Sequence, residues 1–159
     1  QPSPVLTDSF SAFGLQPVVI SYQELYNALQ QGVVGGAENE SVYVLSQRFY
    51  EPAKYLLLTR HIVTVPPFMI SQSTIDRLPP ELLPAILEAA EEAAVFQRQT
   101  EAQADDEALN TLINEYGMVV SEVETSEMVR LASEVWYEYA ERWEVEDVLN
   151  AILEDTGAR

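Results

Sequence analysis

His61 is the only histidine and there is no cysteine, so acid–base, nucleophilic and thiolate chemistry have very few residues to work with. A Ser-His-Asp relay would have to pass through His61, and no serine sits in the Gly-x-Ser-x-Gly setting that exposes a nucleophile at a strand-to-helix turn. Without thiols, disulfides, zinc–thiolate sites and cysteine nucleophiles are excluded. The acidic clusters Glu91-Glu92, Asp105-Asp106-Glu107 and Glu144-Glu146-Asp147 lack the alternating oxygen ligands and central glycine of a calcium loop. Spaced along helices, they read as solvated faces. No glycine-rich loop carries the lysine of a phosphate-cradling P-loop. His61 follows an apolar run and reads as structural. The residue types therefore argue against an enzyme, with no catalytic residue, metal or cofactor expected.

One stretch could build a ligand pocket. SYQELYNALQQGVVGGAENE, residues 21–40, opens as an amphipathic helix, softens through glycines and ends on an amide beside carboxylates. Either it is a helix, a short strand and a turn, or Asn39 sits in a pocket at the end of a strand. A second stretch holds Trp136, Tyr137, Tyr139 and Trp143; at helical spacing these aromatics read as core contacts and not as a stacking surface.

The elements that would position these residues alternate between α and β. Pro4 to Phe13 predicts a short helix closed by Gly14. Pro17-Val18-Val19-Ile20 suits a buried strand. Ser21 and Glu24 form an S-x-x-E capping box, Leu25, Tyr26 and Leu29 share a helix face, and Gly32 stops that helix. Val33-Val34 before Gly35-Gly36 predicts a strand that something approaches closely. Ser41 to Arg48 predicts a helix, and KYLLLT at 54–59 and FMIS at 68–71 predict strands. Ser71 or Ser73 can cap a short helix, and Pro80 stands where a long helix accepts proline in its first turn.

From Glu81 to Tyr116 there is no glycine, which predicts a helix of roughly 54 Å at 1.5 Å per residue. Its polar middle, QRQTEAQADDEA, must bridge two lobes or break near Ala104-Asp105-Asp106. Gly117, a short strand at 118–120, a helix from Thr125 or Ser126 to Trp143 and a last helix at 144–154 complete an α/β pattern with a helix-rich C-terminal half.

Bulk properties exclude several classes of partner. A chain of 159 residues with 47% hydrophobic content can fill a core. Its net charge of −18 offers no basic surface for nucleic acid or anionic lipid. Lys54 is the one lysine among eight basic residues, a bias that fits either a saline habitat or plain solubility. No apolar run approaches the roughly 20 residues of a membrane span. The start QPSPVLTDSF reads as the interior of a domain, with any export signal expected upstream.

ELYNALQQGVVGGAEN resembles the signature E-x-Y-x-A-L-Q-x-G-x-V-D-G-x-E-N of the substrate-binding proteins of tripartite ATP-independent periplasmic (TRAP) transporters, the DctP-like family. Glu24, Tyr26, Ala28, Leu29, Gln30, Gly32, Val34, Gly36, Glu38 and Asn39 match it. FYEPAKYLLLTRHIV is similar to the family's F/Y-E-x-x-K-Y-L-x-x-T-x-H stretch through Tyr50, Glu51, Lys54, Tyr55, Leu56, Thr59 and His61. MISQSTIDRLPPELLPAILEAAEEAA is similar to a third family segment. Gly35 departs from the family's Asp, and the arginine that holds the ligand carboxylate aligns upstream of Gln1.

The resemblance implies the C-terminal half of a two-lobe periplasmic-binding-protein-like fold, with a long helix spanning the lobes. Residues of about 1–65 would supply mostly second-lobe α/β segments, and 66–159 a strand and long helices packing across the lobes. It further implies a periplasmic receptor that captures a small organic acid and delivers it to a membrane permease. Asn39 is assigned to the cleft, Tyr22 to an aromatic position flanking the ligand, and Tyr43 to a secondary position one turn past Asn39. The plainer alternatives stay open: Asn39 as a turn or cap residue, Tyr22 as core, Glu24 and Glu38 as structural. Without the arginine, this chain alone would hold an organic acid weakly. A second reading is a stand-alone interaction or oligomerisation module, whose uncovered strand edges and helix face would favour self-association.

Overall fold

The computed structural model describes residues 3–64 and 66–157. The described chain forms two compact units, one built from the residues up to Leu25 and from Glu122 onward, the other from Tyr26–Ser121.

The first unit is helical. In α1 (Pro4–Ala12) the Ser3 hydroxyl accepts from Leu6 N at 3.4 Å and proline opens the first turn, where its missing N–H costs nothing. Gly14, at φ +81°, takes the chain out of the helix. The long partner of α1 is α6 (Ser126–Trp143), against which α7 (Glu146–Thr156) also packs. Ala132, Tyr139 and Ala140 fall on one face of α6 and are buried, as is Leu153 of α7. The Tyr139 hydroxyl donates to Asp8 Oδ2 at 2.6 Å, joining α6 to α1. Of the four aromatics expected in the core, only Tyr139 is fully buried: Tyr137 lies off the buried face and is 48% exposed, and Trp143 is 54% exposed. Trp143 still leans on Tyr139, with ring centroids 5.0 Å apart.

The second unit contains α2 (Leu25–Gln30, whose first residue belongs to the other unit), α3 (Ser41–Ser46), β1 (Tyr55–Leu58), α4 (Gln72–Ile75), α5 (Leu82–Asn114) and the start of β2 (Val119–Glu122). Its core is Ala28, Val44, Phe49, Ala108, Leu112 and Met118, with α3 laid against the C-terminal part of α5. β1 and β2 form a two-stranded sheet, into which Gly117 (φ +65°) turns the chain. Ser71 caps α4 through its hydroxyl.

The long helix does not break. α5 runs unbroken for 33 residues, about 50 Å at 1.5 Å per residue. Its polar middle is good helix-forming sequence carrying (i, i+4) pairs: Gln97 donates to Glu101, and Gln103 to Glu107 at 2.7 Å. Pro80 stands just ahead of the helix, and Pro84 lies in its first turn.

Three expected strands are absent among the described residues. Residues 17–20 have no regular secondary structure, and Val18 and Val19 are each 65% exposed. FMIS likewise has none, with Met69 86% exposed. At Val33-Val34 the backbone is committed elsewhere: both N–H groups donate to the Ala28 carbonyl, closing α2 beyond Gly32 (φ +68°). A strand needs those donors for its ladder. The capping box also differs from expectation, since Ser21 Oγ donates to Glu24 Oε2 at 2.7 Å and the helix begins only at Leu25.

Candidate functional site

Asn39 lies in the second unit, in the loop between α2 and α3, and is half-buried. Its side-chain oxygen accepts from Glu40 N at 3.2 Å. An N–H only donates, so the amide oxygen is turned to the backbone, and the NH2 group is what Asn39 can offer to an acceptor.

The loop around Asn39 lies against the segment that follows β1. Glu38 faces His61, with Oε2 3.8 Å from Nε2. Glu40 Oε1 accepts from the Thr64 hydroxyl at 3.1 Å. One residue further, Asp105 of α5 caps the start of α3: Oδ1 accepts from Val42 N at 3.2 Å and Oδ2 from Ser41 Oγ at 3.3 Å. Glu40, the residue at the cap position, makes no capping bond with its own side chain. The orphan donors of α3 are therefore met from a distant helix instead.

His61 and Thr59 follow β1, with Arg60 between them in the left-handed region at φ +46°. That turn brings Thr59 Oγ1 to 2.7 Å from His61 Nδ1. Thr, His and Glu in series have the composition of a catalytic relay. The 3.8 Å gap to the carboxylate is beyond hydrogen-bond reach, so the ring is not oriented as such a relay requires.

The other nominated residues are exposed. Tyr43 lies one turn beyond Asn39 in α3 and is 46% exposed; Tyr22 lies in the other unit, in the turn ahead of α2, and is 45% exposed. Tyr26 donates to Glu51, and this bond to a carboxylate holds the Tyr26 hydroxyl above the ordinary tyrosine range. Tyr26 and Glu51 belong to separate sequence signatures, as do Glu38 and His61. The two signatures therefore lie against each other at two points.

Sequence reasoning missed Thr64, Glu40 and Asp105. Asp105 carried a signal: with Ala108 and Leu112 it falls at positions i, i+3 and i+7, so it sits on the buried face of α5. A Cβ at Gly35 or Gly36 would meet no heavy atom within 4 Å. Among the described residues there is no group of three metal-ligating side chains, and no helix is long and apolar enough to cross a membrane.

The bacterial extracellular solute-binding proteins of family 7, DctP, match residues 1–142, and the chain belongs to that family. A solute-binding protein of Sulfitobacter sp. strain NAS-14.1 is 36% identical over 151 residues, 94% of this chain and 46% of that protein. A crystal structure of a TRAP periplasmic solute-binding protein from Sulfitobacter sp. NAS-14.1, with bound α-D-taluronate, superposes with a TM-score of 0.87 at 36% identity, covering 95% of this chain and 49% of that one. A TRAP solute-binding protein from Roseobacter denitrificans, with bound β-D-glucuronate, gives 0.77 at 26% identity, covering 89% of this chain and 47% of that one. The chain thus spans about half the length of the relatives it matches. The family and these neighbours are substrate-binding proteins of transporters, not enzymes.

Proposed function

We propose that this chain is part of an extracytoplasmic receptor that captures a carboxylated sugar and hands it to a TRAP membrane permease. The observation that carries the reading is Asn39. It ends a family signature, stands in a loop whose Glu40 accepts a hydrogen bond from Thr64, and has its amide oxygen bonded to Glu40 N. Two amide donors then meet the ligand's carboxylate or a hydroxyl, as a neutral group can without repelling an anion. The taluronate and glucuronate bound by relatives support a uronate as the substrate class. An arginine outside these residues takes the main charge of the carboxylate, Tyr22 flanks the sugar with its ring, and Tyr43 is a secondary contact. In this reading residues 1–65 belong mostly to the second lobe, α5 spans both lobes, and the receptor works in the periplasm.

The test is calorimetric titration of the protein at its native length with D-taluronate, D-glucuronate and neutral D-glucose. Saturable heat with a uronate and none with glucose supports the reading. No heat with either acid, or equal binding of glucose, removes it.

A second reading has its own observation. Tyr55 and Leu57 on one side of β1, and Leu82, Leu87 and Phe96 along α5, are exposed by 46% or more. If the 159 residues stand alone, these surfaces favour self-association. Sedimentation giving a clean monomer at high concentration removes that alternative.

A further inference from the structure

We propose that Asp105 is a positioning residue for the ligand amide: by capping α3 from the long helix α5, it sets the residue to which the Asn39 side chain is bonded. The inference rests on the reading of Asn39 as a ligand contact and goes beyond it, because Asp105 acts through α3 and not on the ligand.

α3 needs outside support at its start. A helix of six residues is marginal by itself, since nucleating the first turn costs more than a few hydrogen bonds return. Its first turn holds no acidic residue, and Glu40, at the cap position, makes no side-chain capping bond. The far end is closed locally: Arg48 takes a positive φ of 58°, and Phe49, 4% exposed, donates its N–H to the Val44 carbonyl at 3.0 Å.

The start is met from α5. Asp105 Oδ1 accepts from Val42 N at 3.2 Å and Oδ2 from Ser41 Oγ at 3.3 Å. One carboxylate engaged through both oxygens with two successive residues fixes where the first turn lies and how it is rotated. Ala108, one turn further along α5, and Val44 of α3 are both buried, so the carboxylate is carried by a helix already packed against its target. An ordinary cap residue at position 40 would stabilise α3 as well. A cap supplied by α5 does something further, because it ties the approach to α3 to the long helix.

From that cap to the amide is a short path. The Glu40 carbonyl accepts from Tyr43 N and Val44 N, each at 3.0 Å, which makes Glu40 the residue on which the helix starts. Glu40 N is also the donor that Asn39 Oδ1 accepts at 3.2 Å. When the first turn frays, Glu40 loses its hold on Tyr43 and Val44, its backbone turns, and the Asn39 amide turns with it. Tyr43, the secondary contact, rides on the same turn.

The experiment uses the ¹⁵N-labelled protein at its native length, with D-glucuronate as the probe. The variants are Asp105→Ala, Asp105→Asn and Tyr139→Phe, the last a destabilising change in the other unit that leaves α3 alone. Side-chain NH2 signals of Asn39 and amide exchange at Val42 report position, and thermal unfolding reports fold. Asp105→Ala is expected to shift the Asn39 signals, speed Val42 exchange and weaken glucuronate about 2- to 10-fold, the weight of re-ordering one side chain on binding. Asp105→Asn, which keeps an acceptor for Val42 N, gives the same changes at smaller size. Tyr139→Phe lowers the unfolding midpoint and leaves the Asn39 signals in place, as a loss of stability alone does. Unmoved Asn39 signals in a folded Asp105→Ala protein overturn the inference, as do equal shifts in Tyr139→Phe. Where Asp105→Ala does not fold, Asp105→Asn is read against wild type, and unmoved Asn39 signals there overturn it. If the shifts occur but the wild type binds no uronate, positioning stands and the proposed function falls.

Discussion

Replacing Asp105 by alanine removes the carboxylate that α5 lends to the start of α3. Two bonds are lost, to Val42 N at 3.2 Å and to Ser41 Oγ at 3.3 Å. Hydrogen bonds to a charged acceptor are worth about 1.5–3 kcal/mol at good geometry. These two are long, the hydroxyl bond especially, since O–H donors ordinarily sit within about 3.0 Å. A value of about 1 kcal/mol for Val42 and about 0.5 kcal/mol for Ser41 is therefore appropriate. Ser41 is 7% exposed, so its hydroxyl regains little water, which adds roughly 0.5 kcal/mol. The total is about 2 kcal/mol, similar to the loss of a good N-cap. Urea unfolding of the protein at its native length reads it as a lower midpoint with an unchanged slope. Asp105→Asn keeps one acceptor and costs about half as much. In a double-mutant cycle with Ser41→Ala, the two changes couple by about 0.5 kcal/mol or more. A loss below about 0.5 kcal/mol for Asp105→Ala, or strict additivity in the cycle, refutes the account of a helix capped from a distance.

Other perturbations have directions fixed by the same structure. Leu112 is fully buried in the second unit, so Leu112→Ala lowers unfolding stability by about 2–5 kcal/mol. The hydrogen bond to Asp8 and burial raise the Tyr139 hydroxyl above the ordinary tyrosine value. Its folded form thus keeps a proton that the unfolded chain gives up. The stabilisation is complete below about pH 10 and is lost as pH climbs through the folded value. Tyr139→Phe lowers the urea midpoint at neutral pH and flattens part of that alkaline loss; an unchanged alkaline slope refutes it. The hydrogen bond from Arg130 holds the Glu127 carboxyl below the ordinary range. Stability from that pair is present above the unfolded value of about 4.3 and fades as pH falls toward the folded one. Glu127→Gln therefore weakens the acid dependence of unfolding, and a variant that titrates like the parent contradicts the assignment.

The elements legible in the sequence were those whose signals are local. Gly14, Gly32 and Gly117 all take positive φ at the ends of helices, and Ser71 and the proline at position 4 mark helix starts. The helical expectations at 41–48, 81–116 and 125–143 survive within a few residues. The failures concern strands. An apolar run such as Pro17–Ile20 becomes a strand only when a neighbour supplies the ladder, and no described segment does so. Val33 and Val34 looked like a strand because their side chains fit one, but their donors were spent closing α2.

The Asn39 loop was half legible. The Glu-Asn pair and its glycines could be read along the chain, and the plain turn reading anticipated the bond from Glu40 N. What the loop meets lies 23 to 64 residues away in sequence, in His61, Thr64 and Asp105. Pairings at that separation leave no periodicity to find. In sequence Asp105 belongs to an acidic cluster that reads as solvated, and only its register with Ala108 and Leu112 speaks against that.

The central claim is that Asn39 presents neutral donors to an anionic sugar, and Asn39→Asp tests it most directly. The substitution preserves shape and exchanges two donors for a negative charge, so folding stability should change little. Calorimetry with D-glucuronate or D-taluronate on the protein at its native length should show affinity at least about tenfold weaker than wild type, or 1.4 kcal/mol. Equal affinity in a folded Asn39→Asp protein would mean that the ligand is held elsewhere and that the amide is only part of a turn.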